Sequence, residues 1–144
     1  MTDSRHPRQL RRSIAALAAG FVLVVVLSIA TDVVLHAARV FPPLGEPMSG
    51  ALFVLATAYR LVYSVAGSYI TARLAPYSPM QHALVGGAIG LGLATIGAVA
   101  TWNRGPAFGP HWYPVGLIVA ALPSAWAGGM IRIRELRLQP LERS

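Results

Sequence analysis

Two charged residues lie inside otherwise apolar segments. They are the residues of this chain best placed to bind a substrate or an anion, or to transfer a proton. Asp32 falls late in an apolar run that begins near Ile14, and Arg60 falls in the middle of the next run. Counting helical rise from the intervening turn places Asp32 about 12 Å deep and Arg60 about 16 Å deep. An arginine at the centre of a bilayer costs about 2.5–3.5 kcal/mol, and a nearby carboxylate would offset much of that cost.

Polar neighbours extend this pair into a candidate intramembrane site, which we define as Asp32, His36, Arg60 and Tyr63. His36 follows Asp32 by four residues and therefore shares its helical face. Tyr63 lies one turn beyond Arg60 and offers a hydroxyl group. Two interpretations remain open: a site for a substrate, a proton or an anion, or an ion pair that only fixes the register of two helices.

Four apolar segments of about 20 residues each must position these side chains, and each matches a hydrocarbon core about 30 Å thick. The third and fourth segments are apolar all round, unlike the helices of a soluble bundle. The sequence therefore predicts an all-α fold, a transmembrane four-helix bundle in one integral membrane domain. The predicted spans are 14–38, 50–72, 81–102 and 114–131, with basic tails at 1–12 and 132–144.

Composition supports a membrane protein and argues against an enzyme. The 144 residues are 55% hydrophobic and only 12% charged, whereas a soluble domain is roughly one quarter charged. The absence of cysteine excludes disulfides, thiolate metal sites and thiol catalysis. The chain carries no phosphate-binding loop and no nucleophile motif. We therefore expect no enzyme activity, no cofactor and no bound metal.

The arginines predict the orientation. Nine of the twelve lie in the two tails or at Arg73, and only Arg39 and Arg104 lie at the opposite ends of the spans. The positive-inside rule places the arginine-rich side, with both termini, in the cytoplasm of a bacterial inner membrane. The positive charge is thereby explained by topology and not by nucleic acid. We expect the first span to remain as an anchor, while the small-residue step at residues 28–30 leaves cleavage open.

Small residues recur at intervals of four in the third segment and predict a smooth face for close helix packing. Whether the partner is a helix of this chain or of a second copy is open. The residues are Gly86, Gly90, Ala94 and Ala98.

The loop after the third segment is rich in glycine, proline and aromatic residues, and it contains Arg104, His111 and Trp112. It is predicted to be extracytoplasmic, either as an interfacial aromatic anchor or as a recognition loop. The scattered histidines and Glu46 lack the spacing of metal ligands.

Three stretches carry a resemblance: residues 30–36 (ATDVVLH), 41–43 (FPP) and 101–106 (TWNRGP). They resemble small four-span bacterial inner-membrane proteins of unassigned function, which implies a fold and a location but no catalytic residues. The first-helix acid is also similar to that of small multidrug transporters, but here it lies late in the helix.

We therefore expect a small accessory or structural protein of the lipid bilayer. It would work with a second copy or with a larger membrane-protein partner. The alternative is a small oligomeric transporter or channel-like unit that uses the Asp/Arg pair.

Overall fold

The structure, a computed structural model, describes residues 5–139. No strand occurs among these residues, so the all-α prediction is confirmed for them. By length and composition, four helices are long and apolar enough to cross a membrane. The outer parts of the two predicted tails, residues 1–4 and 140–144, lie outside the described residues. The helices are α1 (Arg5–Ala37), α2 (Gly50–Leu74), α3 (Pro79–Thr101) and α4 (Trp112–Leu138), and a single 3-10 turn (Pro106–Phe108) precedes α4.

Backbone chemistry explains where the helices begin and end. After α1, Arg39 adopts a left-handed conformation at φ 57°, and the prolines that follow cannot continue a helix. Pro79 opens α3, since its fixed φ suits the first helical turn, where no donor is needed. α4 passes through Pro123 and continues to Leu138, seven residues beyond the predicted end of its span.

The interior is built from small side chains, and the large apolar ones face outward. The buried apolar residues are mostly alanines, whereas Val99, Val119 and Ile96 are 66–74% exposed. A soluble protein shows the opposite arrangement. Helices in a membrane gain little from burying large apolar groups, because lipid is equally apolar, and they pack through small residues instead.

Glycines bring the backbone of α2 close to two neighbouring helices. A Cβ atom placed on Gly67 of α2 would lie 2.7 Å from the carbonyl oxygen of Gly20 in α1. A Cβ on Gly128 of α4 would lie 2.5 Å from the Val65 carbonyl oxygen of α2. Real Cβ contacts are longer than 3.0 Å, so only glycine allows these two approaches. α2 is therefore the helix on which α1 and α4 are positioned.

α3 packs on α4 along its length but meets α1 only near one end. A Cβ on Gly87 would collide with the Cβ of Ala125, which marks the close α3–α4 contact. Near the end of the bundle that holds both termini (the terminal end), His82 Nε2 lies 2.9 Å from Ser13 Oγ. Towards the opposite end, which holds the α1–α2 and α3–α4 loops (the loop end), a cleft separates α1 from α3.

Candidate intramembrane site

The structure brings Asp32 and Arg60 together as an ion pair between α1 and α2. Arg60 Nη2 lies 2.6 Å from Asp32 Oδ2. The Tyr59 hydroxyl donates a hydrogen bond to Asp32 Oδ1. It also accepts a hydrogen bond from Arg60 Nη1 at 3.1 Å. Each carboxylate oxygen thus has a partner. The sequence could not show whether these two charges would meet, because it does not fix how the two helices face each other.

The pair is only partly buried. The Arg60 side chain is 25% exposed and that of Asp32 is 31% exposed. The guanidinium also lies 5.1 Å from the centre of the Tyr59 ring and 5.9 Å from that of Tyr113, within the range of a cation–π contact. A bilayer would strengthen these contacts, because no bulk water competes with them. Tyr113, from α4, is a further member of this site, which the sequence pattern does not single out.

The other two predicted members lie beside the pair and do not touch its charges. His36 Nδ1 lies 2.7 Å from the backbone oxygen of Asp32, not from its carboxylate, and the ring packs edge-on against Phe41. The Tyr63 hydroxyl lies 2.8 Å from Thr31 Oγ1. Tyr63 therefore supplies a second polar link between α1 and α2 on the loop-end side of the bundle.

A cleft of about 680 Å³ opens beside the ion pair, and all four helices contribute to its walls. Both Asp32 and Arg60 line it. Along α1 it extends from Ile14 to Asp32, which corresponds to about 27 Å of helix. Most of the lining is apolar, with one charged pair towards the loop end. The other polar side chains on its surface are Ser28, Ser64, Ser68, Thr71 and Ser124.

Three of these hydroxyl groups form a column on α2 with Arg60. Ser64, Ser68 and Thr71 follow Arg60 at intervals of four, four and three residues, so all four side chains share one face. Among the described residues, none of the three hydroxyls makes a hydrogen bond. Elsewhere in this protein, threonines bond back to the carbonyl four residues earlier; the three that do so are Thr57, Thr95 and Thr101.

An uncompensated hydroxyl in an apolar environment is costly. The column of hydroxyls therefore indicates that the cleft contains water or the polar part of a ligand. Together with the ion pair, it forms a polar face that runs from Arg60 to Thr71, which corresponds to about 16 Å of helix. The hydrogen bond between Ser13 and His82 lies at the terminal end of this cleft and holds α1 to α3 there.

The small residues of α3 do not all lie in close helix contacts, which is the arrangement that their spacing predicts. Gly86, Gly90 and Ala94 line the cleft. A Cβ on Gly90 would find no heavy atom within 4 Å, and one on Gly86 would be in ordinary contact with Leu17 at 3.5 Å. Gly90 therefore makes no close helix contact within the chain, and a contact with a second copy at this position stays a prediction. Ala98 is buried, and the tight contact of α3 is made by Gly87, one residue away from the predicted row.

The α3–α4 loop is tied down by aromatic contacts. The His111 ring stacks on Trp102 with centroids 4.2 Å apart, and its Nε2 donates to the Trp102 carbonyl oxygen at 3.1 Å. Trp112 packs edge-on against Tyr113, which in turn contacts Phe53. Arg104 is exposed at the loop end. These contacts suit an anchoring role, and they use the histidine for stacking.

A second polar cluster, not singled out from the sequence, joins α2 to α4 at the terminal end. Glu135 accepts hydrogen bonds from Arg132 at 2.7 Å, from the Tyr69 hydroxyl at 3.0 Å and from Arg73 at 3.2 Å. The sequence gives little sign of this cluster, because membrane topology alone explains the positions of Arg73 and Arg132. No group of three metal-ligating side chains occurs within residues 5–139.

Comparisons with protein-family models, with curated proteins and with solved structures find no match to this chain. The fold and the site together define the class: within residues 5–139 the protein is all-helical, and four helices are long and apolar enough to cross a membrane. The function has to be argued from the cleft and its polar groups.

Proposed function

We propose that this protein is a small binding and transport unit of the membrane, and that its α1/α3 cleft receives a small molecule within the bilayer. One observation carries the proposal: the only ion pair between α1 and α2 in the described chain is partly exposed, and it lies on the wall of a 680 Å³ cleft. Pockets that bind small molecules have volumes of about 300–1,000 Å³ and a few polar groups among apolar ones. This is the transporter-like alternative of the sequence analysis, without enzyme chemistry.

The proposed orientation places the terminal end in the cytoplasm of a bacterial inner membrane. The arginine count supports it. In this orientation the ion pair lies in the outer half of the bilayer. The Ser13–His82 hydrogen bond then lies on the cytoplasmic side and separates the cleft from the cytoplasm. A second copy of the chain is the proposed partner in the membrane.

Cysteine substitution tests whether the cleft is hydrated, and the chain is suited to it because it contains no cysteine. Ser64→Cys, which lines the cleft, should react with a membrane-impermeant thiol reagent in proteoliposomes. Val62→Cys is the matched control, because Val62 lies two residues away, is 63% exposed and does not line the cleft. Lipid should shield that control. If both cysteines were equally protected from the thiol reagent, the cleft would contain no water, and the proposal would be refuted.

A second candidate function, that of an accessory or structural protein, is favoured by a separate observation. Both oxygens of Asp32 are already engaged by Tyr59 and Arg60, which is what a pair that only fixes helix register requires. Such a protein would serve a larger membrane partner, and its cleft would hold only lipid.

A double-mutant cycle separates the two functions. Asp32→Asn and Arg60→Gln should each lower stability. The loss should be smaller than the roughly 3–5 kcal/mol for breaking a fully buried pair in a soluble protein, because this pair is only partly buried. The double variant should lose less than the sum of the two single changes. If the pair belongs to a binding site, the double variant folds but has lost function. If it is structural, the double variant keeps both its fold and its cellular activity.

A further inference from the structure

We propose that the ligand of the cleft is a single-chain amphipath with an anionic head group, bound head-first to Arg60 with its chain along the walls of α1 and α3. The inference rests on the proposed function and specifies the chemical class of its ligand. Three properties of the cleft carry it: the unequal hydrogen-bonding capacity of the ion pair, the apolar walls, and the volume.

The ion pair has unused donors and few unused acceptors. Arginine offers five N–H donors, and Arg60 uses Nη2 on Asp32 and Nη1 on Tyr59. Beyond these two bonds the guanidinium retains N–H groups that a ligand can use, with the Tyr113 side chain beside it. Both Asp32 oxygens are engaged, and the Tyr59 hydroxyl both donates and accepts. A ligand that meets this surface is favoured if it brings acceptor oxygens, as a carboxylate or a phosphate does.

The rest of the cleft suits an alkyl chain. Below the ion pair its walls are formed largely by apolar side chains of α1 and α3, among them Phe21, Val25, Ile89 and Leu93. The column of hydroxyls on α2 lies along one side, where water shares the cleft with the chain, because hydroxyl groups without a partner are costly against hydrocarbon. A ligand with one polar end and one flexible apolar chain would therefore satisfy both ends of the cleft.

The volume of the cleft suits a slim occupant. The cleft measures about 680 Å³, whereas a helix 27 Å long and 10 Å wide fills on the order of 2,000 Å³. A helix from a second copy would therefore fit the cleft less well than a single alkyl chain. A single-chain amphipath lies within the range of volumes that such pockets accept.

Two spin-labelled probes with the same alkyl chain test the sign of the charge: an alkyl phosphate and an alkyl trimethylammonium. Each is added to the full chain in nanodiscs of zwitterionic lipid, and electron spin resonance measures the immobilised fraction. We expect the phosphate to be immobilised preferentially. Arg60→Gln should weaken its binding by about tenfold or more, since a charge-assisted hydrogen bond is lost. Asp32→Asn should preserve or tighten it, because a competing negative charge is removed.

A pair of glycine variants keeps the test independent of the stability of the ion pair. Gly90→Leu projects a side chain into the cleft, where an added Cβ meets no atom within 4 Å, and it should abolish immobilisation of the phosphate probe. Gly92→Leu is the control, because it has equal free space but does not line the cleft. The Gly92→Leu variant should immobilise the phosphate probe to the same extent as the unaltered protein.

The outcomes are distinguishable. Preference for the ammonium probe, lost in Asp32→Asn, would overturn the anionic head group and leave the binding cleft standing. Immobilisation that survives Gly90→Leu would overturn the assignment to this cleft. No immobilisation of either probe, together with protection of Ser64→Cys from the thiol reagent, would overturn this inference and the proposed function together.

Discussion

The replacement of Gly128 by alanine tests how closely α4 approaches α2, on which the geometry of the cleft depends. The new Cβ would lie 2.5 Å from the Val65 carbonyl oxygen and 2.7 Å from the Tyr69 backbone nitrogen. Both neighbours are backbone atoms of a helix, so neither can rotate away. α4 would have to move by roughly 0.5–1 Å, because Cβ atoms need at least an ordinary van der Waals separation of about 3.5 Å.

The expected cost follows from two opposing terms. Overpacking of a tight interior costs about 1–3 kcal/mol. Alanine in place of glycine inside a helix returns about 0.5–1 kcal/mol. The net loss of stability for Gly128→Ala should therefore be about 1 kcal/mol, within limits of about 0–2.5 kcal/mol.

Gly116→Ala is the matched control on the same helix. A Cβ at that position meets no atom within 4 Å, so only the helix-propensity gain remains, and stability should be unchanged or higher by up to about 1 kcal/mol. Reversible unfolding in mixed micelles, followed by circular dichroism, measures both variants. Equal stability of Gly128→Ala and Gly116→Ala would refute the close α2–α4 approach.

Three further predictions concern the ends of the bundle. A reporter fused after Ser144 should be cytoplasmic and one inserted within residues 105–110 should be periplasmic; a periplasmic C-terminus in a fusion assay would overturn the orientation. Gly109→Ala should lower thermal stability more than Gly105→Ala, since both have φ near +92° but only the first would strike an aromatic ring. Glu135→Gln should lower stability less than Gly128→Ala does in the same unfolding assay, because its ion pairs are partly solvated; a larger loss would mean that the cluster is shielded by lipid.

The number and type of the helices could be predicted from the sequence because those properties are local. Length, apolar content and the prolines of the turns fix where a helix can form, and they do so without reference to the neighbouring helices. Two helices extend well beyond their predicted spans: α1 begins at Arg5 and α4 continues to Leu138. These outer turns are polar and lie beyond the apolar runs, so a hydropathy pattern covers less than the whole helix.

The helix contacts could not be predicted from spacing alone. Gly20 and Gly67 are isolated in their own helices and meet only in the folded bundle. The regular row that includes Gly90 is more conspicuous in the sequence, but at Gly90 it faces open space. Small residues permit close approach without requiring it. The rotation of each helix about its axis decides which small residue is used, and that rotation depends on all the contacts at once.

The column of hydroxyls on α2 bears on the choice between a structural pair and a binding site. An ion pair that only fixes the register of two helices needs no further polar groups between itself and the terminal end of the bundle. Three unpaired hydroxyls in hydrocarbon would cost on the order of 3–9 kcal/mol, comparable with the total stability of a typical domain, about 5–15 kcal/mol. Bonding back to helix carbonyls would remove that cost, as it does at Thr57 and Thr95, yet Ser64, Ser68 and Thr71 do not bond in this way. A cleft filled with water or with the polar part of a ligand accounts for both the unpaired hydroxyls and the exposed side of the ion pair.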